Sequence, residues 1–277
     1  MTRFSGKSVI VTGCSNGIGR ATAVLFSRYG AQVTITGRDS ERLEVTKEKM
    51  LKAGALPQNI NLVVANLTDP NGQDHIIQST LKALGKIDVL VNNAGANIVD
   101  GTSNTDQSID LYHKTFQINF QSVVEMIKKT KEYLIKTKGE IVNVSSIAAG
   151  PQALPMAPYY AASKAALDQY TRCVAIDLIQ YGVRVNSVSP GAVSTGFLTA
   201  MGLPEQAQQK AESFIASHKE CVPAGVLGKP EDIAELIVFL SDRKRSSYII
   251  GQSIVADGGS TLVAGMHAHD LHDMLGL

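Results

Sequence analysis

Tyr160 and Lys164 stand four residues apart in Tyr-Ala-Ala-Ser-Lys, at the start of an alanine-rich run that favours helix. Helical residues at that spacing lie one above the other on one face, so a phenol and an ammonium would point at one spot. A cation beside a phenol favours its ionised form, whose ordinary pKa is about 10, so the pair could give and take a proton near neutral pH. A solvated helix face has the same spacing, and only the surrounding chain can separate the two readings.

Seven short β-rich runs alternate with longer helical ones. The strand candidates cover 8–12, 32–36, 60–65, 87–92, 140–145, 183–189 and 253–256. Helical patterns fall near 18–30, 40–53, 70–84, 106–137, 158–181, 205–219 and 230–241. Most strand candidates are continuous apolar runs, as expected for strands covered on both faces. The alternation predicts an α/β fold, a parallel sheet with helices on both faces. No linker interrupts residues 1 to 260, so 1–277 is expected to be a single domain.

In such sheets ligands bind beyond the carboxyl ends of the strands, and the chemistry-bearing residues collect there. The first strand runs into Thr12-Gly13-Cys14-Ser15-Asn16-Gly17-Ile18-Gly19. Glycines in a strand-to-helix turn let backbone approach a phosphate, and the helix N-terminus favours negative charge. A dinucleotide is therefore expected. The second strand ends in Gly37-Arg38, with no carboxylate at the strand end to take a ribose 2′-hydroxyl. Arg38 suits a 2′-phosphate, which favours NADP over NAD. Asp39 is assigned to starting the next helix. The fourth strand ends in Asn92-Asn93-Ala94-Gly95, suited to close backbone approach and to bracing of neighbouring strands. Asn119 sits inside a helical run, a mildly unfavourable place that could anchor a local water network. The fifth strand ends in Ser145-Ser146, shortly before Tyr160.

Taken in order, Thr-Gly-x-x-x-Gly-Ile-Gly, Asn-Asn-Ala-Gly, a Ser before Tyr-x-x-x-Lys, and Ser189-Pro190-Gly191 with Thr195 resemble the short, single-domain branch of the short-chain dehydrogenases/reductases over roughly residues 6 to 260. The resemblance implies a Rossmann-type doubly wound sheet of about seven parallel strands that binds NAD or NADP. It implies Tyr160 as general acid in ketone reduction and base in alcohol oxidation. Lys164 would hold the nicotinamide ribose and favour the phenolate, Ser146 would hydrogen-bond the substrate oxygen, and Asn119 would complete a tetrad through water. Gly13, Ser15, Asn16, Ile18 and Gly19 would line the phosphates and nearby ribose. Asn93, Ala94 and Gly95 would lie on the adenosine side, and Pro190, Gly191, Val193 and Thr195 on the nicotinamide side. One position departs from the pattern: Asn66-Leu67-Thr68 stands where the family often has Asp-hydrophobe-Thr. Asn66 can still donate and accept a hydrogen bond to adenine.

A net charge of +1 without long runs of one sign argues against nucleic acid or an anionic membrane as partner. No apolar run is long enough for a membrane span, and no basic-then-apolar leader precedes the first strand. Cys14, Cys173 and Cys221 form no metal or disulfide spacing and read as reduced thiols, so a cytoplasmic location is expected. The stretch from Ala192 through Phe197, Leu198, Met201 and Leu203, punctuated by Gly196 and Gly202, reads as part of a substrate lid over about 192–225 and suggests an apolar carbonyl or alcohol. The helical runs carry apolar stripes such as Phe116, Phe120, Val123 and Ile127, and Ala161, Ala162, Ala165 and Ala166 permit close helix approach; the resemblance implies that these helices pack between subunits of a homodimer or homotetramer. The tail over about 262–277 holds His267, His269 and His272 without a metal-fixing pattern, and no metal is expected. The function that follows is NADP-dependent reduction of a ketone or aldehyde, or the reverse. The alternatives are an NAD-preferring dehydrogenase of the same fold and a silent dinucleotide-binding sensor.

Overall fold

The continuous apolar runs are strands because both of their faces are covered. A computed structural model describes residues 3–99, 102, 104–195 and 204–263. The chain runs β1 (Ser8–Thr12), α1 (Gly17–Arg28), β2 (Gln32–Gly37), α2 (Ser40–Lys52), β3 (Ile60–Val64), α3 (Pro70–Leu84) and β4 (Val89–Asn92). It continues through α4 (Ile109–Phe116), α5 (Ser122–Thr137), β5 (Glu140–Val144), α6 (Pro158–Ile179) and β6 (Arg184–Pro190), then α7 (Glu205–Ser217), α8 (Pro230–Ser241), α9 (Arg243–Ser246) and β7 (Ser253–Ala256). The seven strands form one parallel sheet in the order β3-β2-β1-β4-β5-β6-β7.

Successive residues of each strand serve opposite faces. Val9 and Val11 of β1, Val89 and Val91 of β4, and Val142 and Val144 of β5 face a core shared with α1 and α8. The intervening Ile10, Leu90 and Ile141 face a second core shared with α3, α5 and α6. Two buried faces are what made each run read as apolar throughout.

The helical pattern over 106–137 does not form one unbroken helix. A π-helical turn, Gln117–Gln121, separates α4 from α5. The wider turn inserts a residue into the α-helical period and redirects side chains, and such turns are frequent at functional sites. Asn119 is the buried residue of this turn. Thus Asn119 sits where helical regularity breaks, which removes the conflict with its helix propensity.

A polar tie crosses the sheet beneath α6. Asn92 Nδ2 donates to Asn143 Oδ1 at 2.9 Å, and Asn143 Nδ2 donates to Thr171 Oγ1 on α6 at 2.9 Å. All three residues are buried. Asn92 thus supplies part of the bracing expected of the paired asparagines, and it positions α6 against β4 and β5. Asn143→Leu keeps the branching but strands the Asn92 amide, while the Thr171 hydroxyl keeps its bond to the Leu167 carbonyl, and this should lower the unfolding free energy by about 1–3 kcal/mol in urea titrations.

Candidate active site

The strand order reverses beside β1, since α1 leads outward to β2 while β4 pairs on the other side. The carboxyl ends of β1 and β4 thus flank a crevice. Thr12 closes its floor, accepting from the backbone N–H groups of Asn93 and Ala94, each at 3.0 Å, and donating to the Val91 carbonyl at 3.3 Å. The Asn93 side chain is spent on β1, donating to the carbonyls of Thr12 at 2.8 Å and Gly13 at 3.1 Å. Asn93 therefore shapes the crevice wall, and its amide is not turned to a ligand.

The glycine-rich turn is as tight as its composition predicts. Gly13 has φ +70°, and a Cβ there would come within 2.9 Å of Ala94 Cα. A Cβ on Gly19 would overlap the Gly13 carbonyl. Gly17 has φ +51° and faces the Thr195 side chain. Asn16 precedes α1 without capping it through its side chain, so the first-turn N–H groups point toward the loop without a side-chain acceptor. A cradle of glycines over an uncapped helix N-terminus fits a dinucleotide phosphate. Ile18 is packed against the first core. The Ser15 hydroxyl crowds Gly37 at the end of β2, and Arg20 grips the loop from below, donating to the Ser15 carbonyl and to Thr46 Oγ1. Cys14 is inert there, because burial pushes its thiol up to about 12.

Arg38 is exposed at the end of β2, and its side chain makes no hydrogen bond or ion pair among the described residues. Asp39 caps α2, accepting from the Arg42 N–H at 3.0 Å, and pairs with the Arg42 guanidinium at 3.2 Å. Its carboxylate is thus used within the first turn of α2, as the sequence predicts. Asn66 accepts from the N–H and hydroxyl of Thr68 at 3.2 and 3.0 Å through one amide oxygen.

The proton-transfer candidates converge at the ends of β4 and β5. Lys164 is buried, its Nζ donating to the Val144 carbonyl at 2.8 Å and lying 5.8 Å from the centroid of the Tyr160 ring. Gly95 permits this, since a Cβ there would sit 3.1 Å from Lys164 Nζ and 3.0 Å from Asn119 Oδ1. Asn119 holds the strand-end loop with both halves of its amide, accepting from Ala96 N–H and donating to the Ala96 carbonyl, each at 2.8 Å. It also donates to Ser163 Oγ at 3.2 Å, and that hydroxyl donates to the Tyr160 carbonyl at 2.7 Å. Of the two serines, Ser145 is buried and directed at the backbone of Lys164, at 3.4 Å. Ser146 is the one whose side chain hydrogen-bonds Tyr160. Sequence reasoning missed Thr12, Arg20 and Ser163, whose roles depend on which chain segments meet.

The expected lowering of the phenol pKa is not found in the protein's own field. Burial raises the Tyr160 pKa, with the Ser146 hydrogen bond opposing. Burial also depresses Lys164, to about 8, with the Asp168 charge opposing. The ammonium lies over the ring face and bonds to a carbonyl, so burial outweighs cation–phenolate attraction.

Farther along the sheet edge, Gly191 donates its N–H to the Ala256 carbonyl at 3.0 Å, and a Cβ on it would come within 2.6 Å of Asp257 Cβ. This fixes the turn after Pro190. Val193 bridges to Gly228, and α7 holds the following residues: Ser194 Oγ donates to Glu212 at 2.8 Å and Gln208 Nε2 donates to the Thr195 carbonyl at 3.2 Å. Gly196, Phe197, Leu198, Met201, Gly202 and Leu203 of the expected lid lie outside the described residues, as do His267, His269 and His272.

Lys164 makes stability depend on pH with a definite sign. Its folded pKa of about 8 lies below its ordinary 10.5, so between those values the unfolded chain holds more protons and stability rises with pH. Tyr160 acts oppositely above its ordinary 10.0, where the unfolded phenol ionises first. Between about pH 8 and 10 the unfolding free energy should therefore climb more steeply for the parent than for Lys164→Met, by on the order of 2 kcal/mol in urea titrations.

A family model described as enoyl-(acyl carrier protein) reductase matches residues 13–261. A short-chain dehydrogenase/reductase of unknown function from Caenorhabditis elegans, solved with cofactor, is 64% identical with a TM-score of 0.95, covering 97% of this chain and 100% of that one. The glucose dehydrogenase of Caenorhabditis elegans in its apo form is 55% identical with a TM-score of 0.82, covering 95% of this chain and 100% of that one. Among curated relatives, 3-oxoacyl-(acyl-carrier-protein) reductase FabG of Thermotoga maritima is 36% identical over 93% of this chain and 98% of its own length. With the parallel sheet, glycine cradle and Tyr160–Lys164 pair that the structure shows, these matches place the chain in the short-chain dehydrogenase/reductase family, as an NAD(P)-dependent oxidoreductase of CH–OH and C=O groups.

Proposed function

We propose that the protein interconverts a ketone or aldehyde and its alcohol with NADP in preference to NAD, using Tyr160 as general acid and base. The observation that carries the reading is the convergence of Tyr160, Ser146, Lys164 and Asn119 at the same sheet edge as the glycine cradle. The bound nicotinamide supplies or accepts the hydride. In the reducing direction Tyr160 donates its proton to the substrate oxygen, and in the oxidising direction it takes that proton back. Ser146 donates a hydrogen bond to the same oxygen, where negative charge develops. Lys164 places a positive charge against the ribose and the phenol, and Asn119 holds the Ala96 loop that borders them. Gly13, Ser15, Asn16, Ile18 and Gly19 would hold the phosphates, and the Ala94–Gly95 backbone and Asn66 the adenosine end. Pro190, Gly191, Val193 and Thr195 would border the nicotinamide.

The preference for NADP rests on the end of β2. Arg38 is an exposed, uncommitted guanidinium at the place where the 2′ substituent would lie, and Asp39 is committed to Arg42 and the α2 cap. We read residues 1–277 as one domain, because the dinucleotide cradle and the proton-transfer group share one sheet. The segment between Ser146 and Tyr160 is rich in Ala and Pro and carries Ile147, Leu154 and Met156, which favours an apolar substrate. An aromatic hollow bordered by Tyr112, Phe116 and Phe120 on α4 and the π-turn supports a homodimer or homotetramer. A cytoplasmic location is supported by three free thiols, and among the described residues no helix is long and apolar enough to cross a membrane.

Tyr160→Phe should lower kcat by about 10²–10⁴ while leaving NADPH binding near the parent's, measured by single-wavelength turnover and fluorescence titration. Parent-like turnover in that variant would refute the mechanism. Arg38→Asp should move the NADPH-to-NADH ratio of kcat/KM toward NADH by at least about tenfold, the loss of one charge-assisted hydrogen bond. An unchanged ratio would remove Arg38 as the reader of the 2′-phosphate, and a parent ratio that favours NADH would assign the protein to the NAD-preferring alternative.

A further inference from the structure

Helix α6 carries a charge that the mechanism above leaves unused. Asp168 follows Lys164 by one helical turn on the same face. No cation pairs with its carboxylate among the described residues. Instead Oδ1 accepts from Ser187 Oγ on β6 at 3.2 Å, and Oδ2 accepts from Ser253 Oγ on β7 at 3.2 Å. Ser253 Oγ also shares a hydrogen bond of 2.7 Å with Ser189 Oγ, just before Pro190. Hydroxyl donors on both oxygens fix the direction of the carboxylate.

Lys164 has the complementary need. Around its ammonium stand the Val144 carbonyl on β5, the Gly95 backbone after β4 and the Asn119 amide in the π-turn, all uncharged. Tyr160 on α6 is the titratable neighbour on its other side. The attraction of Asp168 is what opposes burial in setting the protonation of Lys164.

We propose that Asp168 is a positioning residue for the reaction: oriented by Ser187 and Ser253, its carboxylate keeps Lys164 an ammonium and thereby sets the alkaline limit of turnover. The inference rests on the reading of Lys164 as part of the proton-transfer site. It goes beyond a tie between α6 and the sheet, because a tie needs hydrogen bonds and this role needs charge.

The test compares the parent with Asp168→Asn and Ser253→Ala, using kcat/KM against pH for carbonyl reduction by NADPH and urea unfolding of the same proteins across the pH range. In Asp168→Asn the alkaline fall of kcat/KM, taken relative to the variant's own plateau, should begin about half to one pH unit lower, about three- to tenfold in rate. The rise in stability assigned to Lys164 should begin lower by the same amount. Ser253→Ala removes one hydrogen bond but keeps the charge, and its profiles should hold their position on the pH axis. Should Asp168→Asn not fold, Asp168→Ser poses the same question. A profile for Asp168→Asn that superimposes on the parent's after scaling would overturn the proposal, as would an equal displacement in Ser253→Ala. Parent-like kcat in Lys164→Met would be a different failure, removing Lys164 from the reaction and the role of Asp168 with it.

Discussion

A lysine ammonium enclosed by protein, with no carboxylate in contact, is the constraint on which the centre of this molecule depends. Removing an ammonium from water is costly, and an unassisted one sheds its proton instead. Lys164 is held by one carbonyl, one aromatic face and a carboxylate a helical turn away. Each of these requires a particular neighbour. The carbonyl belongs to the last residue of β5, so the strand must end there. The approach of Nζ to the loop after β4 is tight enough that a Cβ at residue 95 would sit 3.1 Å from it and push it aside. The loop itself is pinned by Asn119, which reaches it from a turn wider than an α-helix.

The same economy of space governs the first strand-to-helix turn. Gly13 and Gly19 touch each other and the β4 end so closely that a methyl group at either would displace backbone. Asn93 then fills the gap with an amide that satisfies the carbonyls of Thr12 at the end of β1 and of Gly13 in the turn. The glycine turn therefore presents backbone to the crevice, and backbone N–H groups suit phosphate whatever the attached base or ring. Selectivity has to come from farther out: from Arg38 beyond β2, and from the residues after β6 that α7 holds in place.

Much of the fold was legible in the chain. The seven apolar runs became seven strands within a residue or two of the expected limits, because a parallel sheet buried on both faces imposes a local signature. The glycine spacing, the Asp39 cap and the Tyr160–Lys164 spacing were likewise local, each depending on a few adjacent residues. Asn119 was noticed as out of place in a helix, and its sequence position alone could not show that the helix widens there. Four-residue spacing says which face Tyr160 and Lys164 share and nothing about how much water remains around them, and it is burial that raises the Tyr160 pKa.

The sequence by itself determined the periodicities, the turn chemistry and the set of reactive side chains, all of them properties of neighbouring residues. The tertiary structure decided which polar groups are consumed in holding the frame and which stay available. Asn93, Ser145 and Asp39 are consumed by it, Ser146 serves both by accepting from the Ala148 N–H while hydrogen-bonding Tyr160, and Arg38 is left out of it. That division arises from contacts between β1, β4, β5, α6 and β7, segments far apart along the chain. Whether a hydroxyl or an amide already has a partner is settled only when those segments pack.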